Sequence, residues 1–309
     1  MIYNILGKKD IKTSRIGFGC WQLGGNMTIG KNPHGYGKID EKEATKAIDY
    51  AIDYGINFFD TADTYGLGKS ESLLGKALKG KRNKIVICTK GGKISDGISN
   101  FVLNSSRTHI ISACNDSLKR LDTDYIDIYL LHFIPPKEQI EQSIDALKIL
   151  QKHGKIKDYG ISVANEVNKI PELTRNFPII EGYYNLLLRD FEKYDSSETS
   201  FIAASPLSRG LLGGKKYISN LDAGDIRKKW TKGEIHHDWY IEQQVKIDKF
   251  EKLANEWNIS LKILAIAYIL SNNIVAIPGI RTKTQIYELL ESLKHVPLNK
   301  EKLQKIKEI

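Results

Sequence analysis

Four side chains in this sequence have the types and spacing to move a proton and to stabilise charge on an oxygen: Asp60, Tyr65, Lys90 and His132. A free tyrosine titrates near pKa ~10, too high for ready proton exchange at neutral pH. A buried ammonium beside it favours the phenolate and makes the phenol a better proton donor. A carboxylate next to the lysine keeps it charged and fixes its direction, and a histidine on the opposite side can hydrogen-bond a substrate oxygen. Together such groups polarise a carbonyl and protonate the alkoxide left by hydride attack. Taken singly, a strand-end aspartate is most often a turn or cap, and a lone lysine a solvated charge. Joint placement is what gives the set chemical meaning.

Eight short apolar runs supply the strands that would place it: 15–19, 56–60, 85–89, 125–131, 156–162, 178–184, 200–205 and 273–278. Most are apolar on both faces, as buried parallel strands are. Between them run amphipathic stretches. Residues 41–54 carry a stripe of Ala44, Ala47, Ile48, Ala51 and Ile52 behind a capping box from Asp40 to Glu43. Residues 108–121 and 139–152 show the same period, and Ile286, Leu289, Leu290 and Leu293 follow a second box from Thr282 to Gln285. Alternating strand and helix signals predict a parallel α/β fold, a (β/α)8 TIM barrel spanning 1–309 as a single domain. Residues 2–13 read as an N-terminal β-hairpin around Gly7-Lys8. Residues 207–239 read as a long loop after strand 7, holding Trp230, His236, His237 and Trp239. In such a barrel the C-terminal strand ends form the active-site mouth. Asp60, Lys90 and His132 close strands two, three and four, and Tyr65 follows Asp60 in the same loop.

Other classes are excluded by what is missing or malformed. With 41% hydrophobic and 27% charged residues the chain can build a core, and no run approaches the ~18 apolar residues of a membrane span. The charged N-terminus is unlike a signal peptide, and Cys20, Cys88 and Cys114 form no CxxC pair, so a cytoplasmic protein is expected. The excess of 46 basic over 37 acidic residues, +9, is scattered among acids rather than clustered, so no nucleic-acid partner is expected. Gly17-Phe18-Gly19 begins like a dinucleotide fingerprint, but Gln22 stands where the third glycine belongs. Gly68-Lys69-Ser70 lacks the leading glycine of a P-loop, no G-x-S-x-G occurs, and adjacent His236-His237 do not make a zinc site, so no metal is expected.

The chain resembles the aldo-keto reductase superfamily from about Gly7 to Leu293. The resemblance rests on Asp60-Thr61-Ala62-Asp63-Thr64-Tyr65-Gly66, Cys88-Thr89-Lys90-Gly91-Gly92, and Ser117-Leu118-Lys119-Arg120-Leu121 leading to Asp124-Tyr125-Ile126-Asp127 and His132. Ser205-Pro206-Leu207, Arg209-Gly210-Leu211-Leu212 and Ile277-Pro278-Gly279 with Arg281 continue it. It implies that Asp60, Tyr65, Lys90 and His132 are the catalytic four, with Tyr65 as general acid, and that NADPH, with NADH possible, binds without a Rossmann fold. By the same resemblance the nicotinamide end falls to Trp21, Ser162, Glu181 and Tyr184, with Val163 where many relatives have asparagine and Glu181 where a glutamine is common. The phosphates fall to Ser205, Leu207, Arg209, Gly210, Gly279, Arg281, Lys283 and Gln285. A helix N-terminus with an arginine beside it suits a phosphate, and Arg281 implies preference for NADPH. Substrate contacts are expected from Trp21, Phe133 and Trp230, with Trp239 a further loop aromatic. The implied reaction is reduction of an aldehyde, ketone or sugar carbonyl, a small-molecule substrate; the alternative is an NADP(H)-binding regulatory subunit with little turnover.

Overall fold

The computed structural model describes every residue of the chain except 99, 165, 195–198, 215–220, 222–224, 226 and 228–236. The apolar runs fold as eight parallel strands: β1 (Phe18–Gly19), β2 (Phe58–Asp60), β3 (Val86–Gly91), β4 (Ile126–Leu131), β5 (Ile156–Ala164), β6 (Ile179–Tyr183), β7 (Ser200–Ala204) and β8 (Val275–Ala276). They pair in chain order from β1 to β8. The sheet then closes on itself through parallel bridges from Ile16 to Ala276 and from Gly19 to Gly279. Gly17 N donates to Ala276 O (2.8 Å) and Gly19 N to Pro278 O (2.9 Å) across that seam. A Cβ at Gly19 would stand 2.8 Å from the Ile277 carbonyl oxygen, and one at Gly17 2.7 Å from the Phe58 ring. The glycines that start like a nucleotide fingerprint are thus what lets the first strand seal against the last.

Strand alternation splits the apolar side chains into two cores. Phe58, Val86, Cys88, Ile128, Leu130, Ile179, Ile202, Val275 and Ile277 fill the barrel interior. Phe18, Phe59, Ile87, Tyr129, Leu131, Ile161, Ile180 and Phe201 face outward beneath the helices. The N-terminal hairpin (Tyr3–Leu6 with Ile11–Ser14) adds Leu6 and Ile11 to the inner core and closes the bottom. Its turn is tied down by Lys8 N to Asp158 Oδ2 (2.8 Å) and Gly7 N to Ser200 Oγ (3.0 Å).

The helices are α1 (Glu41–Asp53), α2 (Lys69–Ala77), α3 (Arg107–Leu121), α4 (Ile140–Lys152), α5 (Ile170–Leu173), α6 (His237–Glu256), α7 (Leu261–Ser271), α8 (Lys283–Glu291) and α9 (Lys300–Lys307). At α8 the capping box is complete: Thr282 Oγ1 accepts from Gln285 N, and Gln285 Oε1 accepts from Thr282 N. At α1 only half of the expected box forms. Asp40 accepts from Lys42 N and Glu43 N, but the Glu43 carboxylate pairs with Lys46 (2.8 Å). Within the stretch 207–239, Ser208–Gly213 forms a short 3-10 segment and α6 begins at His237, while most of the residues between lie outside the described ones. None of the helices is long and apolar enough to cross a membrane, among the described residues.

One buried carboxylate ties three strands together below the site. Asp127 of β4 is 1% exposed. It accepts from Arg82 Nη2 (2.7 Å), Lys157 Nζ (2.7 Å) and Ile87 N of β3 (3.0 Å). Removing it leaves a partly buried guanidinium and a buried amide without their acceptor. Asp127→Ala is expected to lose about 3 kcal/mol of unfolding free energy by urea titration; a loss within ~0.5 kcal/mol, the usual surface range, would show that the clamp is dispensable.

Candidate active site

Barrel geometry makes one corner of the interior polar. On β2 the inward residues are Phe58 and Asp60, on β3 Val86, Cys88 and Lys90, and on β4 Ile128 and Leu130 followed by His132; each series runs from apolar core to a polar end. Asp60 lies in register with Cys88, and Lys90 with Leu130. Lys90 is fully buried, and all three of its ammonium protons are placed: on Asp60 Oδ1 (2.7 Å), Asp60 Oδ2 (2.6 Å) and the Thr61 carbonyl (3.0 Å). Burial pulls its pKa down, but the Asp60 and Glu181 charges outweigh this and hold it well above the usual lysine range. The ammonium is therefore permanent at neutral pH.

Tyr65 is carried by the loop that leaves β2. Its ring stacks on Trp21 (centroids 5.6 Å, 11°) and meets the edge of His132 (5.9 Å), with Lys90 Nζ 5.3 Å from its centroid. Burial pushes the phenol well above the usual tyrosine value; Lys90 pulls the other way and Asp60 adds to the rise. The expectation of an acidified phenol is thus corrected for the free protein: the lysine acts in the expected direction, yet burial outweighs it. Tyr65 keeps its proton at neutral pH. His132 sits with Nδ1 3.4 Å from Thr64 Oγ1. Burial first, then the charges of Lys93 and Lys90, lower its pKa well below the usual histidine value, so the imidazole is neutral.

A third carboxyl group joins the cluster. Glu181 of β6 is 3% exposed; its Oε1 accepts from Ser162 Oγ (3.0 Å), and its Oε2 lies 3.3 Å from Lys90 Nζ. With the ammonium protons taken, Oε2 has no hydrogen-bond donor. Burial, then the neighbouring Asp60 charge, push this carboxyl up to about 8, against the pull of Lys90. Asp60, Cys88 and Glu181 bring potential ligand atoms within 4.8 Å of one another, but it is the Lys90 ammonium that stands against the two carboxylates.

The cluster opens into a cavity of about 1530 Å³, counting its open mouth. Asp60, Tyr65 and His132 line it together with Trp21, Ser162, Glu181, Ser205, Leu207, Arg209, Gly210, Gly279 and Gln285, while Lys90 lies sealed beneath. After β7 the backbone holds Ser205, Ser208 and Arg209 at φ of 49°, 47° and 54°, strained for residues other than glycine. Such strain is kept where a loop is shaped around a ligand.

Other expected contacts are not on this surface. Tyr184 is buried in the outer core, its hydroxyl donating to Glu192 (3.2 Å) and accepting from Asn272 (2.8 Å). The ring that faces the cavity is Tyr183, which shares strand parity with Glu181. Phe133 is buried behind Gly92, where a Cβ would come within 2.6 Å of its ring. Arg281 donates through Nη2 to the Tyr36 carbonyl, and Lys283 lies over the Tyr50 ring at 4.2 Å; neither lines the cavity. Val163 turns into the outer core at a bulge between Ser162 and Ala164, so its departure from asparagine does not reach the site. Trp239 packs against the outer core on α6, and Trp230 lies outside the described residues. Residues not foreseen include Met27, His34, Tyr36, Lys93, Phe101, Tyr183 and Arg227. Tyr183 was readable from β-strand alternation; the others sit on excursions that carry no periodic signal.

An eight-stranded parallel barrel with a buried Asp–Lys pair under a tyrosine and a histidine defines a class, and the sequence matches the aldo/keto reductase family over residues 15–309. The chain belongs to that family, and by class it is an NAD(P)H-dependent carbonyl oxidoreductase. It is 33% identical over 285 residues to a probable aldo-keto reductase of Glycine max, covering 89% of this chain and 79% of the relative. It is 28% identical over 317 residues to a probable voltage-gated potassium channel subunit beta of Oryza sativa subsp. japonica, covering 96% and 93%. It superimposes on the holo form of an aldo-keto reductase from Bacillus halodurans with a TM-score of 0.77 at 30% identity, covering 100% of this chain and 96% of that one.

Glu181 gives a test of the cluster that needs no substrate. Its folded-state pKa is raised to about 8, so between the usual carboxylate range and pH 8 the folded protein holds a proton that the unfolded chain has lost. Stability from this group is present at low pH and falls as pH rises through that window. Glu181→Gln is expected to flatten the fall and to raise the melting temperature at pH 8–9 by on the order of 2 °C. Parallel curves of melting temperature against pH for parent and variant would show Glu181 already ionised in the fold.

Proposed function

We propose that this chain reduces the carbonyl of an aldehyde, ketone or sugar to the alcohol with NADPH, as a single barrel domain over 1–309 working in the cytoplasm. The observation that carries this reading is the meeting of the Tyr65 phenol and the His132 imidazole at one cavity, above a Lys90 ammonium fully paired beneath it. NADPH, when bound, supplies the hydride that reaches the carbonyl carbon. Tyr65 gives its proton to the carbonyl oxygen as negative charge develops there, and the Lys90 ammonium stabilises the phenolate that remains. Asp60 keeps Lys90 charged and aimed, and His132 holds the oxygen by hydrogen bonding. Trp21, stacked on Tyr65 and edge-on to Tyr36 (4.8 Å), walls the reacting groups from water.

The residues present fit the cofactor. Glu181 Oε2 is a buried polar atom without a hydrogen-bond partner, beside Ser162, and suits the carboxamide of a nicotinamide. The strained 205–210 loop, its turns closed by Ser208 N on Ser205 O and Gly210 N on Leu207 O, presents Ser205 and Arg209 to a pyrophosphate. Arg281 uses one guanidinium donor on Tyr36, leaving others for a 2′-phosphate at the N-terminus of α8. The rice channel-subunit relative supports a second reading, cofactor binding without turnover.

Activity separates the two. Tyr65→Phe is expected to cut turnover of any aldehyde the parent reduces by ~10²–10⁴-fold while NADPH still binds; full retained rate would remove Tyr65 from the role of acid. NADPH binding by the parent with no turnover across a broad carbonyl panel would favour the regulatory reading. Arg281→Ala is expected to weaken NADPH roughly tenfold or more and leave NADH nearly unchanged, since hydrogen bonds to charged groups contribute about 1.5–3 kcal/mol. Equal affinity of the parent for both cofactors would refute the preference.

A further inference from the structure

We propose that Lys93 selects substrates that carry an anionic group, a carboxylate or a phosphate, in addition to the carbonyl presented to Tyr65 and His132; this rests on the carbonyl-reductase reading. The residue comes from a small hairpin that rises from the end of β3. Lys93–Ser95 pairs antiparallel with Phe101–Leu103, Lys93 opposite Leu103, and Asn104 N donates to Gly92 O (2.8 Å). This hairpin brings Lys93 and Phe101 to the cavity that Trp21, Tyr65 and His132 also line. His34 meets Phe101 edge-on at 5.8 Å, so this cavity carries aromatic rings as well as the lysine.

Its electrostatic surroundings are incomplete, unlike those of the other cations at the cavity. Arg227 is bound to both oxygens of Asp225 (2.9 and 2.6 Å), Lys262 is paired with Glu288, and Arg209 donates to the Tyr183 hydroxyl (3.3 Å). Lys93 is half-buried and has neither a hydrogen bond nor an ion pair among the described residues. The charged groups that face it are Asp63, Lys90 and Glu181. Burial, and then Lys90, lower its pKa from the usual lysine value against the opposing pull of Asp63 and Glu181. None of the acids is close enough to pair. A partly desolvated positive charge in a substrate cavity attracts an anion strongly, because little water must be displaced from it. Its field already reaches His132, where it depresses the imidazole pKa. An anionic group on the substrate would therefore neutralise Lys93 and orient the carbonyl at the same time.

The test uses matched pairs: 4-formylbenzoate against its methyl ester, and glyceraldehyde 3-phosphate against glyceraldehyde, each with NADPH and the full-length parent, Lys93→Met and Lys93→Arg. The parent is expected to favour the anionic member of at least one pair about tenfold or more in kcat/KM. The pair that shows it tells carboxylate from phosphate. Lys93→Met should abolish the preference by raising KM for the anion far more than for its neutral partner, with NADPH affinity unchanged, and Lys93→Arg should keep most of it. Lys93→Met should also be no less stable than the parent, since an unpaired ammonium holds nothing together. Equal use of both members of each pair, or an undiminished preference in Lys93→Met, would overturn the inference while leaving the reductase reading intact. A loss of NADPH affinity in Lys93→Met would reassign the lysine to the cofactor. If no aldehyde is reduced, the reductase reading is what fails. Calorimetry of benzoate and inorganic phosphate then decides on Lys93: binding by the parent lost in Lys93→Met supports an anion site, and equal binding by both overturns it.

Discussion

An ammonium sealed from water keeps its charge only when its protons and its field are answered where it stands. Lys90 meets that condition with Asp60 accepting two protons and supplying the opposite charge, and the Thr61 carbonyl accepting the third. The rest of the site follows from this arrangement. Both partners must occupy neighbouring strands with a fixed register, so β2 and β3 cannot slip. Both must point inward at the same depth, so the residues below them must be apolar and pack into the closed interior. A one-residue slip would send Lys90 outward into the apolar layer beneath the helices.

The barrel meets these demands by dividing its labour. The inner core and the hairpin fill the lower half, away from the candidate site, while the outer core anchors helices that hold the strands in place. Polar side chains cluster at one end, and there the backbone departs from regular geometry: a bulge in β5, positive φ at Ser205, Ser208 and Arg209, and short hairpins. Regularity below and distortion above are complementary. The strained loop persists because the packing beneath it leaves no cheaper conformation nearby.

The strands were legible because buried parallel strands are short apolar runs, and three of the four candidate residues, Asp60, Lys90 and His132, were legible because they close three of those runs, with Tyr65 in the loop after Asp60. Helices with a polar face announced themselves by period. By contrast α7 is buried over nearly its whole surface from Leu264 to Leu270, so no stripe marks it. Tyr184 was expected at the nicotinamide end by resemblance, but β-strand parity turns it into the outer core and leaves Tyr183 on the cavity side. Tyr36, Lys93 and Phe101 reach the site on excursions whose shape comes from tertiary contacts. Gly17 and Gly19 resembled a phosphate loop because a close backbone approach requires glycine whether the neighbour is a nucleotide or another strand.

That seam and the hairpin share a property of chain order. Residues 16–19 pair with residues 276–279, which follow all seven other strands in the chain. The hairpin turn likewise waits for Asp158 and Ser200. The plug cannot form before Ser200 is present, nor the seam before residues 276–279, and joining the first strand to the last carries the entropic cost of closing a very long loop. The cylinder is therefore an all-or-none object in time as well as in space: an incomplete chain has exposed strand edges at both ends, and only the arrival of the eighth strand removes them.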